Sequence, residues 1–181
     1  DHPNMPWDGT ELWVADLRDD GSLAGRRLVA GGPDESVFQP EWSPDGALYF
    51  VSDRSGWWSL YRLRGDEAEH LTPVDAEFGA PQWALGTRTY AFESEGRIIC
   101  QYSRLGTWTL ATLYTETLEL LAIDTPYTEM SRGDIKAAPG RVVFGAGSPA
   151  EPTAMVLLDT DTRETEVLRR ETEATVDRGY L

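Results

Sequence analysis

The chain has one cysteine, one lysine and two histidines. A single cysteine excludes an internal disulfide. Cys100 stands in the alternating stretch Arg97-Ile98-Ile99-Cys100-Gln101-Tyr102, which predicts a buried structural thiol, not a nucleophile. His2 sits at the terminus, and His70 is expected on a solvated outer strand and not as a general base. No apolar run approaches the roughly 18 residues of a membrane span, and no secretory pattern opens the chain. The expectation is therefore no membrane partner and a cytoplasmic location. No segment sustains the helical period of apolar residues. Nor does a Gly-x-Ser-x-Gly nucleophile elbow occur. The nearest string, Gly145-Ala146-Gly147-Ser148-Pro149, puts proline where the elbow's helix would begin.

Positive charge is also scarce. Sixteen basic residues face 31 acidic ones, for a net charge of −15, which argues against nucleic acid as a partner and for a strongly hydrated exterior. Lys136 is the only lysine, and that arginine bias fits a GC-rich bacterial genome. The alternating aspartates of Asp159-Thr160-Asp161-Thr162-Arg163 imitate the start of a calcium loop. However, arginine stands at the third ligand position and the required glycine is missing, so no metal is expected there. No cofactor is expected either.

What the chain does have is 181 residues, enough for one sizeable core, and strand patterning throughout. The most informative stretch is Phe38 to Leu63. It reads strand, turn, strand, turn, strand, with Pro44-Asp45-Gly46 and Arg54-Ser55-Gly56 as the turns. Between them Leu48-Tyr49-Phe50-Val51 is apolar on both faces of a period-2 strand, as suits a sheet covered on both sides. Upstream, Thr10 to Leu17 and Arg26 to Ala30 alternate as two strands around a polar loop; downstream, Glu69-His70-Leu71-Thr72 is the expected fourth strand.

The pattern then recurs. Gly96 and Gly106 follow Gly46 and Gly56 at an offset of 50, with Ser103 to Leu110 aligned on Asp53 to Leu60 and Phe92 on Trp42. A third copy places Gly140 at the turn and Val142-Val143-Phe144 on Leu48-Tyr49-Phe50, followed by strands at Met155 to Leu158 and Thr165 to Leu168. Repeats of about 40–50 residues with four strands each are the signature of β-propeller blades. A β-sandwich also has short strands at regular spacing, but it lacks this in-phase recurrence of turn glycines and strand aromatics. The expected fold is all-β: a partial propeller of about three four-stranded antiparallel blades plus two strands of a preceding blade. The divisions are residues 1–33 (half blade), 34–74, 75–125 and 126–170 (blades), and 171–181 (an exit linker).

The string Glu41-Trp42-Ser43-Pro44-Asp45-Gly46, followed by Leu48 to Leu63, resembles the propeller blades of the prolyl oligopeptidase family of serine peptidases, acylaminoacyl peptidases and dipeptidyl aminopeptidases among them. TolB-like propellers share the Trp-Ser-Pro-Asp-Gly core. The stretches Asp1 to Leu17, Gly31 to Gly46 and Asp75 to Trp83 are also similar to bacterial members of the peptidase family, and Val176 to Leu181 resembles the exit toward the catalytic domain. The resemblance implies a propeller that caps an α/β-hydrolase domain carrying the catalytic triad, gates access of short peptides and docks the hydrolase. It places no catalytic residue in this chain. The partners it implies are the hydrolase domain beyond Leu181 and further blades before Asp1, the chain reading as an excised or processed piece. A stand-alone TolB-like propeller serving protein binding is the alternative; a carbohydrate-active propeller is a weaker one.

Four residues are candidates for substrate or interface contacts. Glu41 and Glu77, near blade starts, could take a peptide's ammonium group, or be satisfied by backbone N–H groups or an arginine. Arg54 and Arg104 occupy equivalent turn positions and are expected to pair with nearby carboxylates. Trp57, Trp58 and Trp108 are expected to pack between blades. Three and a half blades do not close a ring. The two bare blade faces would leave several hundred Å² of apolar surface uncovered, so self-association is expected.

Overall fold

The computed structural model describes residues 4–131 and 133–172, and every regular element among them is a strand. β1 (Glu11–Leu17) and β2 (Leu23–Gly31) form an antiparallel pair. β3 (Val37–Trp42), β4 (Leu48–Ser52), β5 (Ser59–Arg64) and β6 (Glu67–His70) form a four-stranded antiparallel sheet in chain order. β7 (Tyr90–Ser94), β8 (Arg97–Arg104), β9 (Thr107–Tyr114) and β10 (Glu119–Ile123) repeat that sheet. In the last sheet β11 (Glu129–Met130) and β12 (Lys136–Ala138) pair in succession with one edge of β13 (Arg141–Ser148), followed by β14 (Glu151–Asp159) and β15 (Thr165–Arg170). This is a partial β-propeller of three blades, with two strands of another before them.

Turn chemistry sets the meander. Gly46 and Gly56 have φ of 85° and 89°, and each donates its N–H to the carbonyl three residues back, on Ser43 and Asp53. The second blade solves its turns differently. Gly96 does not need a positive φ, and the Leu105–Gly106 hairpin is a two-residue turn with both φ positive (51° and 84°), the geometry that matches strand twist. The fourth strand of the first full blade also lies earlier than expected, at Glu67–His70. Gly65 and Asp66 reverse the chain so tightly that pairing resumes at once with Glu67 opposite Arg64.

The core is made between blades. All of β4 is buried, and its side chains alternate between two clusters: Tyr49 and Val51 face the following blade, while Phe50 packs with Ala30, Val37 and Tyr61 toward β1–β2. Cys100 is fully buried in the cluster between the first and second full blades. That burial pushes its thiol up to about 12, so it is a packing residue. Trp108 is buried against the last blade, and Trp58 meets Phe38 edge-on at 5.8 Å. Trp57 departs from the expectation: it is 41% exposed and lies between the turn at Gly56 and the start of β5 at Ser59, outside the paired strands. His70 departs too. It is half-buried, stacked on Tyr61 at 4.8 Å, with Nε2 shielded from solvent, and burial lowers its pKa.

Polar groups fasten the same boundaries. Arg62 of β5 donates to Glu69 in its own blade and reaches Glu116 (3.0 Å) and the Thr115 carbonyl (3.1 Å) in the next. One boundary later, buried Glu93 accepts from the Thr160 hydroxyl (2.8 Å) and the Gly140 N–H (3.0 Å), with Arg97 closing the site at 2.6 Å. Buried charges that are paired and hydrogen-bonded in this way are costly to break by removing one partner.

Candidate functional site

β3 meets the start of β7 through Gln39, Thr89 and Tyr90, and β7 meets β12; each lies at the first edge of its sheet, so these strands form the inner wall of the propeller arc. Each opens at about the same level. In β3, Gln39 and Pro40 together oppose the single residue Phe50, a bulge that puts Gln39 at φ 46°. In the second blade the chain pairs at Glu77 with Ser103, leaves the sheet over residues 78–89, and resumes at Tyr90 opposite Cys100. In the third it leaves between Met130 and Lys136. Pro40 fits the first opening: it has no N–H to give to a neighbour and sits at a bulge of an edge strand, where none is required. The sequence carried that signal in Pro40, and Pro81 and Gly86 stand in the second opening.

Gln39 is held in its left-handed conformation by its own side chain. Its amide oxygen accepts from the Thr89 N–H (2.7 Å), and Nε2 donates to the Tyr90 carbonyl (2.8 Å) and to Glu41 (3.2 Å). Tyr90 returns a bond from its hydroxyl to the Gln39 carbonyl (2.9 Å); burial is the main cause that raises the Tyr90 pKa well above the ordinary phenol value. Beside this knot lies a cavity of about 300 Å³. Its apolar wall includes Pro6, Phe38, Pro40 and Leu85, and its polar lining includes Gln39, Glu41, Gln82 and Arg88. Glu41 pairs there with Arg88. Strained backbone, a concave apolar wall and a few converging polar groups make this the best candidate binding site among the described residues.

Of the four residues singled out from sequence, only Glu41 lies in this cavity, and its carboxylate is already engaged by Arg88 and Gln39. The other three gather at one rim of the blades, where β4 turns into β5 and β8 into β9. Arg54 pairs with Glu35 (2.8 Å), which also accepts from Ser52 (2.6 Å), and its guanidinium lies 5.3 Å from the Tyr61 ring centroid. Glu77 accepts the Trp58 N–H at 3.0 Å, tying an inter-blade connection to the turn. Arg104 is exposed and makes no ion pair among the described residues; it ends β8 instead of sitting in the turn, so its equivalence to Arg54 is one of position along the repeat only. β15 finishes at the same rim, where Arg170 pairs with Glu151.

The residues that could suggest catalysis do not converge. Ser148 ends β13 and accepts the Glu151 N–H, while His70 is stacked in another blade. Asp159 accepts the N–H groups of Asp161 and Thr162 and so shapes the β14–β15 turn; no cluster suited to a metal ion occurs among the described residues. Gln39, Gln82 and Arg88 were not singled out from sequence, since a lone glutamine or arginine in a loop carries no pattern. His2 and most of the expected exit linker fall outside the described residues.

Neither a protein-family model nor a curated protein matches the chain. Solved structures do. A puromycin-hydrolyzing peptidase of Mycobacterium tuberculosis superposes with a TM-score of 0.91 at 37% identity, covering 99% of this chain and 27% of its own. A puromycin hydrolase matches with a TM-score of 0.87 at 36% identity over 98% of this chain and 26% of its own. A prolyl endopeptidase, at 15% identity and a TM-score of 0.67, shares the fold. The chain thus spans about a quarter of the length of the structures it matches.

Proposed function

Because the chain is a propeller segment of the type found in the prolyl oligopeptidase family of serine peptidases, we propose that it is the non-catalytic, substrate-gating part of such an enzyme. The observation that carries this reading is the superposition of nearly the whole chain on the puromycin-hydrolyzing peptidase. In the proposed arrangement an α/β-hydrolase domain docks on the rim bearing Arg54, Glu77 and Arg104. The inner wall with the Glu41–Arg88 cavity faces the path by which short peptides or aminoacyl amides reach the catalytic groups. The lone buried thiol suits a reducing, cytoplasmic setting.

Two measurements test this. The chain alone, assayed on a panel of aminoacyl and peptidyl amides including puromycin, is expected to be inactive; turnover by the isolated chain overturns the assignment. In the complete enzyme, Arg104→Glu is expected to weaken domain docking and peptidase activity while leaving the propeller's own stability within about 0.5 kcal/mol, as for an exposed surface site. Unchanged docking and activity would remove the rim from the interface.

A further inference from the structure

We infer that Leu105 is an apolar anchor, seated in a hydrophobic pocket of the hydrolase domain that docks on this rim. This rests on the docking reading above and adds which side chain holds the partner and what chemistry receives it. Leu105 is fully exposed, at 100%, in a two-residue hairpin turn where its own φ is 51°. That backbone suits glycine, asparagine or aspartate, so a leucine there is strained as well as solvated. The repeat does not require it, because Ser55 holds the same place in the preceding blade. An exposed apolar residue by itself is ordinary; one kept in an unfavourable conformation, with apolar neighbours, points to an interaction.

Leu105 has such neighbours. Trp57, beside the β4–β5 turn, and Val74, on the connection from β6 to β7, are exposed as well. Glu77 ties these segments together: its side chain accepts the Trp58 N–H, and its backbone exchanges bonds with Ser103, two residues before Leu105. The apolar side chains therefore stand on a fixed part of the rim. Arg104 lies beside them, exposed and without an ion pair among the described residues, in a chain of net charge −15. This set fits an apolar pocket with a carboxylate at its edge. Two hairpin tips and the connection between them are too broad for a short peptide to cover. β15 ends at the same rim, so the chain leaves the last blade on this side. The matched peptidase, of which this chain covers 27%, has the length to supply a partner of domain size.

The test compares Leu105→Asn and Leu105→Met with the parent, in this chain and in the complete enzyme. In the chain alone, Leu105→Asn is expected to leave the urea midpoint unchanged or to raise it, because asparagine relieves the turn. In the complete enzyme it should act in the opposite direction. Hydrogen exchange at residues 55–58, on the neighbouring turn, should speed up by about tenfold, the scale of losing one buried leucine, and peptidase activity should fall. Leu105→Met keeps an apolar side chain and should leave both near the parent. Unchanged exchange and activity in Leu105→Asn overturn the inference. So does a lowered midpoint in the chain alone, which would make Leu105 a residue of the turn itself. Loss of self-association in the chain alone, with the complete enzyme unaffected, overturns it too and names a second copy as the occupant. Docking lost in Arg104→Glu but intact in Leu105→Asn removes the anchor and leaves the docking reading standing. A rim that exchanges as fast in the complete enzyme as in the chain alone removes both.

Discussion

Two side chains are used against type. Gln39 occupies left-handed backbone in a strand, a conformation that costs a non-glycine residue on the order of 1 kcal/mol or more, and its amide offsets this through bonds to Thr89 and Tyr90. Gln39→Leu leaves both groups unpaired in a buried place, and is expected to destabilise the chain by about 2–3 kcal/mol in urea unfolding. His70 stacks on Tyr61, with Nε2 buried and unpartnered among the described residues. Its folded pKa is below the ordinary value, so the unfolded chain binds a proton first as pH falls. Its contribution to stability is complete above about pH 6.5 and declines below it, toward the folded pKa. His70→Phe keeps the stack and removes the titration; urea midpoints measured from pH 7.5 to 5 should fall less steeply for this variant than for the parent chain.

At the scale of elements, the strands were legible and their interruptions were not. The continuous apolar run of β4 and the apolar stretches of β8 and β13 are local properties of the sequence, and each emerged as a largely buried strand. The openings of the inner strands depend on where a neighbouring blade leaves room, which no spacing in one strand records. Proline and glycine marked the places but not what they would build. The inter-blade fastenings are of the same kind. Glu93, Arg97 and Thr160 are far apart in sequence and join at a blade boundary. Glu93→Ala is expected to cost about 3 kcal/mol, the scale for breaking a buried ion pair. Combined with Thr160→Val it should show a coupling of roughly 0.5–3 kcal/mol in a double-mutant cycle. Additive effects would mean that the bond between blades adds nothing to their docking.

The whole molecule is an arc with two open blade faces. Trp13 and Leu28 are 43% and 47% exposed in the first, two-stranded sheet, and Val167 and Leu168 are exposed on the last strand. In a propeller such surfaces pack against further blades, and left uncovered they favour association. The chain by itself is expected to self-associate as its concentration rises in light scattering, and Trp13→Glu with Leu168→Lys should shift it toward monomer. A monodisperse parent chain over a wide concentration range would show that these faces are too polar or too irregular to pair.

The sequence by itself determined the strand content, the blade repeat and the side-chain alternation of β4, because period-2 apolar patterning and turn glycines act over a few neighbouring residues. It also determined the absence of a nucleophile elbow. Only the tertiary structure decided which polar residues matter. Glu41 was one of four candidates by spacing, and only the packing of β3 against the loop before β7 joined it to Arg88, Gln39 and Gln82 around one cavity. Local pairing engages Arg54 with Glu35 and Glu77 with Trp58, while Arg104 makes no ion pair among the described residues. The physical reason is range: a strand is specified by its own residues, whereas a site is made where two blades bring together groups that lie some fifty residues apart.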